Sequence, residues 1–191
     1  MTRAGATITH TEPTTEESLL GGDAKPTPWA EARARLEKAE KYRTYWLTTI
    51  RPDGRPHVMP VIGVWMDATF YFISGLDTQK GRNLESNPAC VMTVGSRSLP
   101  AFDLVVEGTA TRVTDTATLG RVAATYTADL HWPLEVRDGA VFGPNAPTAG
   151  PPPYAVFALT PTTVFGLPGL FGMGAPGKRR KPPVSPTRWR F

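Results

Sequence analysis

Residues 73–84, ISGLDTQKGRNL, place Ser74, Gly75, Thr78, Lys80, Arg82 and Asn83 within ten positions where an apolar run gives way to a helical pattern. The chemistry such a grouping can do is anion binding. With Thr78 as a helix cap, the amides of Gln79, Lys80 and Gly81 lie at the positive end of the helix, and Lys80 and Arg82 add full charges. A phosphate there gains charge-assisted hydrogen bonds, about twice as strong as neutral ones. Gly81 allows close approach and Ser74 offers a hydroxyl. The same residues also suit a capped helix start with solvated cations, and the short motif alone leans to that plainer role.

Other chemistries find less support. No GxGxxG follows a strand and opens a helix, and neither a GK[ST] phosphate loop nor a GxSxG elbow occurs. His10, His57 and His131 are scattered, so a multi-histidine metal site is not expected, and no set of catalytic acid, base and nucleophile can be picked out. Cys90, the single cysteine, lies in the apolar run ACVMTV and reads as a small buried hydrophobe. One cysteine forms no internal disulfide, which suits a reducing, cytoplasmic setting. No run approaches the length of a membrane span. The net charge of +4 is local: Lys178, Arg179, Arg180, Lys181, Arg188 and Arg190 give residues 175–191 a charge of +6, leaving −2 for the rest. The KRRK run can touch phosphates, but the chain as a whole is no nucleic-acid binder by charge.

These groups must be positioned by surrounding elements. Residues 1–26 lack periodicity and read as a disordered arm. Thr27-Pro28 predicts a helix start for WAEARARLEKAEKY, with Trp29, Leu36 and Ala39 as a partial apolar stripe. The period then changes: YWLTTI (45–50), HVMPVIGVWM (57–66) and TFYFIS (69–74) predict an antiparallel meander, joined by RPDGRP and by Asp67-Ala68. Pro60 predicts an edge or bulge, with backbone groups left for a ligand. A helix over 78–86 stops at Asn87-Pro88. Strands follow at 89–95 and 102–115, then a helix capped by Asp115 with Leu119, Val122, Ala123, Tyr126 and Leu130 inward, a Gly/Pro loop over 137–153, and a strand at 154–167. At least six short strands with few helices predict a mainly β fold, an antiparallel barrel with surface helices. One domain spans 27–167, and a Gly/Pro-rich basic tail, 168–191, ends in TRWRF.

In order and spacing, WLTTIRPDGRPHVMPVIGVW, FYFISGLDTQKGRNLESNPACVMTV, VVEGTATRVTD and PTRWRF resemble the pyridoxamine 5'-phosphate oxidase-like family, flavin and deazaflavin oxidoreductases with a split β-barrel. The resemblance covers roughly residues 43–167 and the last six. It implies a homodimer holding FMN or 8-hydroxy-5-deazaflavin (F-420 type) between subunits. It maps the cofactor ring onto Met59, Pro60, Val61 and Ile62, and the phosphate onto Ser74, Gly75, Thr78, Lys80 and Asn83, with Arg82 a weaker candidate. Arg188, Trp189 and Arg190 would reach the cofactor or the partner's pocket. It further implies a reductase passing hydride to a small electron-poor acceptor, or a non-catalytic flavin, deazaflavin or haem carrier of the same fold. Hydride chemistry belongs to the cofactor, so no protein nucleophile is required. The Arg and His pattern with which true pyridoxamine phosphate oxidases grip the vitamin is missing from this C-terminus. Asp77, one residue before the proposed phosphate seat, is the feature that fits least.

Overall fold

The computed structural model describes residues 12–38, 43–96, 101–169 and 184–191. In chain order these form β1 (Thr15–Ser18), α1 (Trp29–Glu37), β2 (Tyr45–Ile50), β3 (Pro56–Val61), β4 (Gly63–Met66), β5 (Thr69–Ser74), α2 (Gln79–Ser86), β6 (Ala89–Val94), β7 (Phe102–Val113), α3 (Thr116–Leu130), β8 (Glu135–Arg137), β9 (Ala140–Phe142), β10 (Ala155–Pro168) and β11 (Thr187–Arg190). The fold is mainly β and antiparallel, as the strand count predicts. Nine strands share one sheet in the order β1-β11-β10-β7-β6-β2-β3, with β5 also on β10 and β4 on β5. β8 and β9 make a separate hairpin inside the expected 137–153 loop region.

The sheet curls like a barrel but leaves a seam. β3 and β4 are consecutive in the chain, yet β3 pairs with β2 and β4 with β5. The chain passes at Ile62 from one end of the curled sheet to the other, so the expected continuous strand over 57–66 is two. Pro60 sits on β3, the terminal strand of its edge, where a missing N–H removes no ladder bond. Asp67 and Ala68, at φ 52° and 57°, make the two-residue turn joining β4 to β5, the left-handed geometry that matches strand twist.

Alternation decides what is inside. On β2, Tyr45, Leu47 and Thr49 are buried while Trp46 and Ile50 face out. The core gathers Trp29, Phe70, Phe72, Met92, Phe102, Phe157 and Trp189. A second cluster lies under α3, whose Leu119, Val122, Ala123 and Tyr126 meet Ile73, Val113 and Val156. Asp115 caps α3 by accepting from the Thr118 amide at 2.8 Å.

The chain ends depart most from the sequence expectation. Residues 15–18, placed in the disordered arm, form β1 and pair with β11 from Thr15↔Arg190 to Ser18↔Thr187. Polar residues order here because a neighbouring strand edge supplies ladder bonds that no local pattern reveals. Thr27 does not cap α1: its amide donates to Thr187 Oγ1 at 2.8 Å and its hydroxyl to the Ser185 carbonyl at 2.9 Å. Glu16 of β1 takes over that role, accepting from the Trp29 amide at 2.8 Å. α1 ends at Glu37, and Ala39 lies outside the described residues.

Trp189 belongs to this strap. It is fully buried, its ring centroid 5.6 Å from that of Trp29, and its Nε1 donates to the Thr27 carbonyl at 3.2 Å. Alternation along β11 turns Trp189 into the core, with Arg188 partly and Arg190 fully exposed. Trp189→Ala should cost about 3–5 kcal/mol in urea unfolding. Arg188→Ala, which breaks only a partly exposed pair with Glu17, should cost under about 1 kcal/mol.

Candidate functional site

The junction between β5 and α2 folds as a compact polar knot. Ser74 ends β5 opposite Ala155 and is fully buried. Thr78 Oγ1 accepts from the Gly81 amide at 3.1 Å, donates to the Gly75 carbonyl at 2.8 Å and lies 2.9 Å from Ser74 Oγ. The expected cap is present. A Cβ on Gly81 would come within 2.5 Å of the Gly75 carbonyl oxygen and 2.7 Å of that of Leu76. The missing side chain therefore lets α2 close on its own turn, and that space is not open to an anion. Arg82, exposed, donates to the Asp77 carbonyl and to Gln79 Oε1, which ties down the turn. Asp77 is exposed, so solvation answers the conflict its charge posed.

Lys80 and Asn83 lie on the inward face of α2. Asn83 Nδ2 donates to Thr49 Oγ1 at 2.9 Å and its Oδ1 accepts from Gln79 Nε2 at 2.7 Å, which fixes the helix against β2. Lys80 is only 2% exposed, and its Nζ donates to the Thr148 carbonyl. No carboxylate among the described residues pairs with it, and burial draws its pKa down from 10.5 to about 8.

His57, not selected from the sequence, joins Lys80. It shares the inward side of β3 with Met59, and its Nδ1 is buried without a hydrogen-bond partner among the described residues. Burial, then Arg51 and Lys80, hold its pKa below the usual value. Lys80 and His57 thus lie within reach of each other's charge, with Arg51, which also acts on Asp53, nearby, a donor set that suits an anion. The available signal was period two: His57 lies two residues before Met59 and so on the same face.

Across the seam lies an apolar cavity of about 200 Å³, lined by Pro60, Val61, Ile62, Ile73, Ala146, Pro147 and Ala149, with Arg43, Thr44 and Thr148 at its margin. The Ile62 carbonyl accepts from Tyr126 Oη at 2.7 Å, so α3 fixes the bend between β3 and β4. Met59 is half-buried opposite Leu47 and does not line this cavity. Residues 143–153 form the outer wall. Thr148 Oγ1 donates to the Pro60 carbonyl at 2.8 Å, and the Ala149 carbonyl accepts from the Gly75 amide at 3.0 Å. A second cavity, about 470 Å³, lies beyond that wall and is lined in part by Gly75, Asp77, Thr78, Arg112 and Ala149.

The structure therefore brings Pro60, Val61, Ile62, Ser74, Gly75, Thr78, Lys80 and Asn83 into one region. Arg188, Trp189 and Arg190 are elsewhere in the chain. β11 pairs with residues 163–166 of β10, whereas Ser74 pairs with Ala155, about 25 Å along that strand at ~3.3 Å per residue. The KRRK run at 178–181 lies outside the described residues. Among the described residues no three His, Cys, Asp or Glu side chains group as a metal site, and no helix is long and apolar enough to cross a membrane.

A family model described as pyridoxamine 5'-phosphate oxidase matches residues 29–167. Among solved structures, general stress protein 26 from Bacillus anthracis aligns at 19% identity and TM-score 0.52, over 74% of this chain and 95% of that one. A putative pyridoxamine 5'-phosphate oxidase from Listeria innocua aligns at 20% identity and TM-score 0.53, over 72% and 96%. A heme binding protein from Mycobacterium smegmatis aligns at 16% identity and TM-score 0.56, over 77% and 56%. These likenesses establish the fold. No curated protein sequence matches the chain.

The depressed Lys80 pKa sets a stability trend. Between about 8 and 10.5 the unfolded chain holds a proton that the folded chain has released, so wild-type stability gains from rising pH in that window. Lys80→Met removes the dependence. Urea unfolding from pH 7 to 10 should show wild type gaining on the variant by on the order of 1–2 kcal/mol, allowing for solvent screening. A pH-independent difference would contradict the burial of the charge.

Proposed function

We infer, because the chain belongs to the pyridoxamine 5'-phosphate oxidase family, that the seam between β3 and β4 binds a flavin-type cofactor, FMN or 8-hydroxy-5-deazaflavin. The observation that carries this is the pairing of two unlike surfaces. Lys80 and Arg51 bring positive charge, with His57 beside them as a neutral imidazole, and the neighbouring cavity at Pro60, Val61 and Ile62 is apolar. Those are the two ends a tricyclic ring with a ribityl phosphate requires. Lys80 and His57 would hold the phosphate, with the Ser74 and Thr78 hydroxyls, the Gly75 amide and Asn83 around it. Met59 would reach the ring edge only after a change of rotamer. As an edge strand, β3 offers one row of backbone groups to the ring's heteroatoms.

When bound, such a cofactor supplies hydride transfer, here to a small electron-poor acceptor. The chain's own residues bind, orient and exclude water. The KRRK run would favour the deazaflavin, whose acidic tail gains from extra cations. A carrier without turnover would use the same residues, and oxidation of the reduced cofactor by quinone or enone acceptors separates the two. Fluorescence titration of FMN and the deazaflavin should give saturable binding. Lys80→Met should weaken it at least about tenfold, the loss of one charge-assisted hydrogen bond. Neutralising residues 178–181 should affect only the deazaflavin, and by less. Failure of either cofactor to bind would overturn the assignment.

The proposal includes a second copy of this chain. Trp46 and Val58 are 47% and 50% exposed, and they adjoin Ile50 and Val91 through the β3-β2-β6 register. A contiguous apolar face of this kind on a sheet marks an interaction surface. Glu107 and Thr109 of β7 border an adjoining hollow of about 550 Å³ on the same face. Val58→Arg should convert a sedimenting dimer to monomer and weaken cofactor binding with it; a wild-type chain that sediments as a monomer would remove the partner.

A further inference from the structure

Two expected anion donors are already engaged by the chain itself. Lys80 Nζ donates to the carbonyl of Thr148 and the Gly75 amide donates to that of Ala149, two successive carbonyls of one segment. Each oxygen stands where an anion's oxygen would be received. The same segment separates the cavities of about 200 and 470 Å³, with Ala149 on the wall of both. The apolar cavity alone is smaller than the roughly 300–1,000 Å³ that encloses a ligand of this size. A phosphate received by Lys80 and the Gly75 amide has to displace both carbonyls, and so cannot be seated with the segment where it is.

The segment is anchored at its ends. Tyr154, fully buried and outside it, lies 3.1 and 2.9 Å from the Pro144 and Gly150 carbonyls and accepts from the Ala146 amide at 3.1 Å. Ala149 N also donates to the Ala146 carbonyl at 3.0 Å. Its tip is held by the two carbonyl contacts above and by Thr148 Oγ1 on the Pro60 carbonyl. Gly150, at φ 76°, offers a pivot. Three such tip bonds, the two neutral ones each worth roughly two- to twelvefold in an equilibrium and the one from Lys80 about tenfold or more, hold a closed state that a ligand with differential affinity can open.

We propose that residues 144–150 are an internal gate, whose Thr148 and Ala149 carbonyls occupy the anion donors until the segment swings out to admit a phosphate-bearing aromatic cofactor. The gate rests on the cofactor site proposed above, and its opening is measurable without cofactor. In the closed state Lys80 is covered, so its acetylation by a short acetic anhydride pulse, read by mass spectrometry against exposed Lys25, reports opening. Thr148→Val removes the hydroxyl bond to Pro60 and should speed Lys80 labelling about three- to tenfold, leave Lys25 unchanged and tighten FMN binding by a similar factor. Thr148→Ser should behave as wild type. Equal Lys80 labelling in wild type and Thr148→Val, or looser FMN binding in the variant, would overturn the gate. Faster labelling that neither FMN nor the deazaflavin suppresses would keep the gate and overturn the cofactor assignment.

Discussion

Strand β10 must satisfy backbone hydrogen bonds on both of its edges along fourteen residues, and the layout of the molecule follows from how it does so. One edge is filled by β7 over its full length. The other is shared, with β5 on residues 155–159 and β11 on residues 163–166. Pro161, which has no N–H to give, sits at the register shift in the β7 pairing, level with the gap between those two partners. The polar junction that follows β5 is thereby held at one end of the strand, and the terminal strap of β1, β11 and α1 at the other.

That arrangement also explains why a cation can be buried. α2 starts directly after the last β5 pairing, and Asn83 anchors it to Thr49, so Lys80 has no route to solvent along the helix face it occupies. A lysine held this way costs free energy unless something negative or a carbonyl dipole meets it. Within the chain the Thr148 carbonyl does so, and Arg51 adds charge of the same sign near His57. The fold thus stores an electrostatic demand beside an apolar hollow, which is what distinguishes the region from a packed corner.

Much of this was legible in the order of residues. The strands at 45–50 and 69–74, the helix over 79–86 with Thr78 as cap, the Asp115 cap and the inward face of α3 all follow from periodicity and turn chemistry, which are local properties. The family's motifs pointed to the region around Pro60 and Lys80, whose residues the fold gathers together. What failed did so for one reason. Thr27 looks like a helix cap and Gly81 looks like room for a phosphate only while their neighbours in space are unknown.

The sequence by itself determined element type, the two-residue periodicity that names inward faces, the local excess of charge and the family. Tertiary structure decided which of those residues meet. It paired polar residues 15–18 with a strand more than 160 positions away, set His57 beside Lys80, and laid Thr148 and Ala149 across the site. Hydrogen-bond donors and charges act over a few ångströms, and separation along the chain does not fix separation in space. Chemistry carried by one residue is therefore written in the sequence, whereas the partner that satisfies it is settled only when the sheet curls and leaves its seam.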